Sequence, residues 1–390
     1  SMLLEHLPGY RLTDRNRLLG MLLDVWFGGE FDLKESTWSP EKGRPFIETD
    51  TGQVHSYCDL AAISARYANL LAKLGVAKGD RVAVQVEKSP EAIFLYIACV
   101  RAGAVYLPLN TAYQKSEIEY FLTDAEPRVV VCRPESLAGV TEVAQKAKVP
   151  HVLTLGQADD GSLPEQARAM PTEFATARMA KDDLAAILYT SGTTGRSKGA
   201  MLTHWNLASN ALTLHKEWGF LSDDVLLHAL PIFHVHGLFV ATNCVLLNGS
   251  TMLFLPKFDL DAIIRLLPRA SVFMGVPTFY VRLLGDARFT KDLVRRMRLF
   301  VAGSAPLLVE TFNLFRERTG HTILERYGMT ETGMITSNPL SGERIAGSCG
   351  KPLPQVEVRI TDDKGTVLGA DQIGVIEVRG PNVFKGYWRM

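Results

Sequence analysis

Tyr189-Thr-Ser-Gly-Thr-Thr-Gly-Arg-Ser-Lys-Gly199 concentrates three glycines, five serine and threonine hydroxyls and two cations in eleven residues, with no acid among them. The apolar run Leu184 to Tyr189 in front of it reads as a strand, and a helical pattern begins at about Asn206 behind it. Gly192, Gly195 and Gly199 permit positive φ and close approach of backbone to a ligand. Thr190, Ser191, Thr193, Thr194 and Ser197 offer hydroxyls, and Arg196 and Lys198 offer charge. Successive backbone N–H groups in such a loop form a concave anion site, and a triphosphate is its natural guest. The spacing is not that of a Walker A loop, because Lys198 follows Ser197 and precedes Gly199. A flexible surface loop is the plainer alternative, and two cations without an acid weigh against it.

Outward from this loop, short β-branched runs alternate with helical patterns. Arg81 to Val86, Val105 to Leu109 and Arg128 to Cys132 read as strands, with helices over Ala92 to Ala102 and Ser116 to Asp124. Leu184 to Tyr189, Val225 to Leu230, Thr251 to Leu255, Ser271 to Gly275 and Arg298 to Ala302 continue the pattern. Such alternation predicts an α/β protein with parallel sheets covered by helices. Residues 156–182 read as a surface connection, and the chain after about Ser341 as a small antiparallel unit. The expected division is 1–45, an extension of unclear role; 46–183, a first α/β subdomain; 184–340, a second with the binding sites; and 341–390, the start of a small β subdomain.

Lys+Arg and Asp+Glu both number 42, so the formal net charge is zero and no global field favours nucleic acid or an anionic membrane. Any anion must be held by local groups. The five cysteines are scattered without a C-x-x-C pair, which predicts free thiols in a reducing compartment. No signal peptide is read at the N-terminus, and the apolar stretch Leu238 to Pro256 is broken by polar residues, so it is expected in the core. The expected location is cytoplasmic.

Two further segments carry chemistry. Gly303-Ser-Ala-Pro306 ends a strand, where small residues let a flat ring approach the backbone. Glu325-Arg-Tyr-Gly-Met-Thr-Glu331 offers an aromatic face at Tyr327, a hydroxyl at Thr330 and a hard oxygen ligand at Glu331. Together with Thr-Ser-Gly-Thr-Thr-Gly-x-x-Lys-Gly, in this order, they resemble the signature of the adenylate-forming superfamily: acyl-CoA synthetases, luciferases and adenylation domains. The resemblance implies two doubly wound, mostly parallel sheets layered with helices, plus a small antiparallel β-barrel-like subdomain. It implies joining of a carboxylate to ATP, with acyl-AMP passed on to CoA. Carried over residue by residue, Thr190, Ser191, Gly192, Thr193, Thr194, Gly195, Arg196 and Lys198 would hold phosphates. Gly303, Ser304, Ala305, Glu325, Arg326, Tyr327, Gly328, Met329 and Thr330 would surround the nucleotide. Glu331 and Thr190 would hold Mg²⁺, and Lys198, Thr190, His234 and Glu331 would act in catalysis.

Pro231-Ile-Phe-His-Val-His-Gly237 matches the family's acyl segment; an H-x-H pair on a strand points to opposite faces, so pocket walls are expected of it rather than a metal site. Gly275-Val-Pro-Thr-Phe-Tyr-Val-Arg282 resembles the start of the helix flanking the acyl tunnel. Arg282 is expected one turn into that helix, near its positive end, where a guanidinium could hold a second carboxylate with help from His236, Ser304 and Met329. Pairing of Arg282 with Asp286 is the rival. The pattern is most similar to malonyl-CoA/methylmalonyl-CoA synthetases, which makes a small dicarboxylate the expected substrate. Other small-acid, aryl or medium-chain synthetases, or a noncatalytic nucleotide-binding module, remain alternatives. The sequence ends at Gly386-Tyr-Trp-Arg-Met390, whereas the family continues into a Thr-Gly-Asp stretch, a hinge and a lysine-bearing lid. The expectation from that is weak ATP or AMP binding with little or no synthetase activity.

Overall fold

The computed structural model describes residues 45–192 and 195–390. Expectations for residues 1–44, Thr193 and Thr194 lie outside the described residues.

Two sheets dominate. The seven-stranded sheet runs Gly386–Tyr387, Lys198–Thr203, Leu184–Thr190, Val105–Pro108, Arg81–Gln85, Val129–Cys132, His151–Thr154. Its five strands from Leu184 to the far edge are parallel, and the other two are antiparallel. The nine-stranded sheet runs Lys351–Pro352, Gly333–Ser337, Leu324–Met329, Leu299–Ala302, Val272–Gly275, Val225–His228, Thr251–Phe254, Pro45–Thr49, Val54–Ser56. Its six central strands are parallel and its edges antiparallel.

The period-2 alternation of each strand sorts its residues between layers. Val82 and Val84 enter the core shared by both sheets, whereas Ala83 faces the outer helices of its own sheet. Leu226 and Leu227 divide in the same way in the nine-stranded sheet. Helix Pro90–Ala102 lies in the shared layer, which explains its nearly continuous apolar surface. Ser89 caps it by accepting from Ala92 N–H, Pro90 sits at its first position, and Gly103 ends it at φ 74°. Tyr96 from this helix donates to Asn243 Oδ1 at 3.0 Å, joining it to the helical segment His236–Asn248. The apolar stretch Leu238 to Pro256 is thus core. Among the described residues no helix is long and apolar enough to cross a membrane.

The sheets correct the expected division at 183/184. Strands Leu184–Thr190 and Lys198–Thr203 belong to the sheet of the first unit, and Pro45–Thr49 and Val54–Ser56 belong to that of the second. Hydrogen bonding to a neighbouring strand, not chain order, assigns them. Lys198–Thr203 also forms a strand antiparallel to Leu184–Thr190, so the glycine-rich loop closes a hairpin and does not lead directly into a helix. Helix His204–Glu217 starts only after its cap, Thr203. The small antiparallel unit is, among the described residues, the two-stranded pair Glu357–Thr361 and Val375–Arg379 rather than a barrel.

At the end of the nine-stranded sheet where its parallel strands begin, Arg298 donates to both oxygens of Asp224 at 2.8 and 2.6 Å, and Ser271 donates to the same carboxylate at 2.7 Å. Burial alone would raise the Asp224 carboxyl, but hydrogen bonds from Arg298, the Leu221 N–H and Ser271 outweigh it and hold it below the ordinary aspartate range. That contribution to stability is complete above the ordinary carboxylate range and is lost as pH falls through the depressed native value. Arg298→Met, which strands a carboxylate only 3% exposed, is expected to lower unfolding free energy by about 3 kcal/mol at pH 7. Chemical denaturation should show the deficit shrinking below pH 4.

Candidate active site

The ligand-facing ends of parallel strands are their C-termini, and several of the motif residues gather there. Thr190, the last residue of its strand, donates from Oγ1 to Glu331 Oε1 at 3.2 Å across 141 residues of chain. Tyr387 donates to the same oxygen at 3.3 Å. Lys198 Nζ lies 5.3 Å from the centroid of the Tyr387 ring. Ser191, Gly192, Gly195 and Arg196 are exposed beside them. A Cβ built on Gly192 meets nothing within 4 Å, so internal packing does not demand glycine there; Gly195, at φ +96°, needs it for its backbone. The described loop residues are therefore exposed next to a hydroxyl, a carboxylate and an ammonium.

Strand Leu324–Met329 supplies the other wall. A register shift between Tyr327 and Gly328 bends it away from Gly333–Ser337. Tyr327 is left half-buried, Thr330 half-buried and Met329 46% exposed. A Cβ on Gly328 would sit 2.3 Å from the Gly333 carbonyl, so glycine is needed there for backbone packing.

Residues 325 and 326 depart from expectation. Glu325 accepts the Leu307 N–H at 3.0 Å and so supports the turn Gly303–Pro306 from below. Arg326 is buried directly under that turn: a Cβ on Gly303 would lie 2.1 Å from its guanidinium carbon. Its Nε and Nη2 have no partner, and burial pushes its pKa down to about 9. His236 is also buried with Nε2 unpartnered. Burial first, then the Arg326 charge, holds its pKa far below the ordinary histidine range, so the ring is neutral. Ser304 Oγ lies 3.4 Å from His236 Nδ1, on a backbone at φ +71°. Non-glycine residues held in this region are strained, and such strain gathers at functional sites. Ala305 beside it is exposed.

The histidine pair is not on a strand. His236 opens a π-helical turn, His236–Thr242, while His234 is exposed on the turn before it. Arg282 occupies the last turn of helix Pro277–Leu284, near its carbonyl end rather than its positive end. It is exposed, and its guanidinium stacks 4.2 Å from the centroid of Phe258. Asp286, its expected rival partner, is held by Arg288 instead. The helix is only eight residues long, which the sequence pattern did not reveal.

Two residues escaped the sequence reading. Tyr387 was read only as part of the closing segment 386–390, and nothing local signals its return to Glu331. Lys88 is buried beside a cleft of about 240 Å³ that Phe233 also lines. Its Nζ reaches His228 Nδ1 at 2.8 Å and the carbonyls of His228 and Leu230 at 3.1 and 2.7 Å, which anchors the start of the loop 231–237. A lysine at the end of an apolar run was the available signal.

Thr190 and Glu331 form an all-oxygen pair with a single carboxylate. That donor set fits Mg²⁺, which keeps most of its waters and bridges to substrate phosphates. Among the described residues no group of three His, Cys, Asp or Glu could hold a metal alone.

The family described as AMP-binding enzyme matches residues 35–388. The chain belongs to the AMP-binding enzyme family. This AMP-binding enzyme is 38% identical over 351 residues to the mitochondrial malonate–CoA ligase ACSF3 of Mus musculus, covering 81% of this chain and 60% of that protein. A malonate–CoA ligase of Arabidopsis thaliana is 31% identical, covering 98% of this chain and 68% of that protein. The solved ATP-bound MatB from Rhodopseudomonas palustris is 54% identical with a TM-score of 0.89, covering 97% of this chain and 72% of that one. The chain thus spans about 60% of the length of the mouse relative.

Replacing Ser304 by glycine removes the left-handed strain but adds unfolded-state freedom. The net expectation for Ser304→Gly is a gain of about 0.5–1 kcal/mol in unfolding free energy, read by urea denaturation.

Proposed function

We propose that this AMP-binding enzyme is the ATP-binding part of an acyl-CoA synthetase acting on malonate or methylmalonate. The observation that carries the reaction class is the contact between Thr190 and Glu331, which brings the phosphate loop against the turn after the Tyr327 strand. In the reaction, a substrate carboxylate oxygen attacks the α-phosphorus of ATP. The new O–P bond forms as the bridging P–O bond breaks, and pyrophosphate leaves with that electron pair. The CoA thiolate then attacks the acyl carbon, a C–S bond forms, and AMP departs with the mixed-anhydride oxygen.

Each wall has a part. The loop from Ser191 to Lys198 would hold the β- and γ-phosphates through N–H groups, hydroxyls and the Arg196 and Lys198 cations. Tyr327 and the Gly303–Ala305 turn would take adenine, with Gly328 and Met329 at its edge. Thr330 would donate to the α-phosphate. Mg²⁺ held by Glu331 and Thr190 would offset charge on the departing pyrophosphate. Fixing both anions in line contributes the remainder. His234 would form a polar wall of the acyl site.

The acid is argued from the orphaned polar atoms. A buried guanidinium with two unpartnered nitrogens and a buried imidazole with one are unfavourable unless a ligand completes them. A fatty or simple aryl acid would leave Arg326 and His236 as they are. A second carboxylate would accept from Arg326, His236 Nε2 and the Ser304 hydroxyl together. Arg326 thus takes the part expected of Arg282. The five unpaired thiols support a reducing setting such as the cytoplasm.

Isothermal calorimetry with nonhydrolysable malonyl and acetyl sulfamoyl-adenosines tests the acid. Native protein should prefer the malonyl compound, and Arg326→Met should erase about 10- to 100-fold of that preference, the scale of a buried charged hydrogen bond. Arg282→Ala should retain the preference. Equal preference in native protein would refute the dicarboxylate. For the metal, removing Mg²⁺ with EDTA should weaken ATP binding by native protein. Glu331→Gln should bind ATP equally with and without Mg²⁺, having lost roughly tenfold in affinity when it is present.

A further inference from the structure

The helix Lys115–Ala125 packs on the outer face of the seven-stranded sheet, through Ile118, Phe121 and Leu122, and contains none of the motifs. Yet Tyr120 on this helix touches the phosphate loop in three ways. Its hydroxyl donates to the Ser197 carbonyl at 2.8 Å. Its ring meets Tyr189 edge-on, with centroids 6.2 Å apart at 72°. The Arg196 guanidinium lies over the same ring, 5.1 Å from its centroid. One side chain therefore contacts the strand that enters the loop and the residue that ends it. The helix itself is pinned there, since Tyr189 donates to Asp124 Oδ2 at 2.5 Å and Trp388 Nε1 to the Asp124 carbonyl at 2.9 Å.

We propose that Tyr120 is a positioning residue for the polyphosphate end of the nucleotide, acting through Ser197 and Arg196. The inference rests on the reading that this loop takes the phosphates of ATP. A loop that binds an anion with N–H groups must keep its carbonyls out of the cavity, because a carbonyl oxygen facing phosphate repels it. Tyr120 captures the carbonyl that closes the loop. It also keeps Arg196 beside the loop on an aromatic face. Asp124, on the same helix, is engaged by Tyr189 and makes no ion pair with the guanidinium. The cation thus waits within reach of the phosphates, and no ion pair must break before it turns to them.

The test is calorimetric titration of the native chain, Tyr120→Ala and Tyr120→Phe with ATP and with AMP, alongside thermal melts. AMP has no β- or γ-phosphate, so the two nucleotides separate positioning from general damage. Tyr120→Ala should weaken ATP roughly tenfold, about 1.4 kcal/mol, and shift AMP by less than about twofold. Tyr120→Phe keeps the Arg196 stack and loses the hydroxyl, and should weaken ATP by roughly threefold. Unchanged ATP binding in both variants would overturn the inference alone. So would equal losses for ATP and AMP that follow a lowered melting temperature, because Tyr120 would then be merely structural. A folded native chain that bound neither nucleotide would overturn the proposed function and this inference with it.

Discussion

The hydrogen-bonded junction between the edge of the seven-stranded sheet and the turn at Glu331 is the constraint on which the site depends. Two segments make it. The chain from Pro381 to Trp388 crosses the gap, with Phe384 N–H on the Glu331 carbonyl at 2.8 Å, Lys385 N–H on Met201 at 2.9 Å and Trp388 N–H on Gly199 at 2.7 Å. Asn206 holds this segment by donating to the carbonyls of Pro381 and Val383. One turn on, Asn210 exchanges two hydrogen bonds with the backbone of Met334, at 3.0 Å each. Side-chain amides that satisfy buried backbone in this way leave little freedom for sliding, since each broken contact would strand a polar group. Thr190 and Glu331 can therefore meet without help from a ligand.

Beneath this junction the chemistry divides into a wet half and a dry half. The loop side is exposed and carries the Arg196 and Lys198 cations against aromatic rings. The side under Gly303 is closed, with a neutral His236 and an Arg326 whose charge is opposed by burial. A buried charge without a counter-ion is among the costlier features a fold can retain. Its position under the Gly303–Ser304 turn places both local penalties side by side. General packing has no use for either penalty, whereas a dianionic acid would relieve the polar one.

Much of this was legible. The alternating strands, the helix Ser116 to Asp124 and the glycine pattern placed the α/β layers and the three motifs, because each rests on periodicity or on backbone needs that are local. What was missed depends on distant pairing. Lys198 to Thr203 reads as part of a loop until the neighbouring strand and the Gly386–Tyr387 strand supply its hydrogen bonds. The strands Pro45–Thr49 and Val54–Ser56 join the far sheet for the same reason. The placement of Arg282 and Arg326 was not legible, because the sequence shows that an arginine exists and not which face it takes. Alternation along Leu324–Met329 puts Arg326 inward, and the short helix after Pro277 puts Arg282 outward.

A chain of zero net charge can still receive a polyanion if its local cations are not already neutralised. Among the described residues Lys198, Arg196, Arg282 and Arg326 enter no ion pair with a carboxylate. Lys198 rests against Tyr387, Arg196 against Tyr120 and Arg282 against Phe258, while two nitrogens of Arg326 have no partner. An exposed cation–π contact contributes about 0.5–1 kcal/mol, less than a charge-assisted bond to phosphate or carboxylate. Exchange toward the anion is then downhill. Had these cations been paired with acids, each arriving phosphate would have to displace a carboxylate and leave it beside the new negative charge. Aromatic rings hold the cations in place without competing for them, and this is how a neutral protein can keep a locally positive crevice.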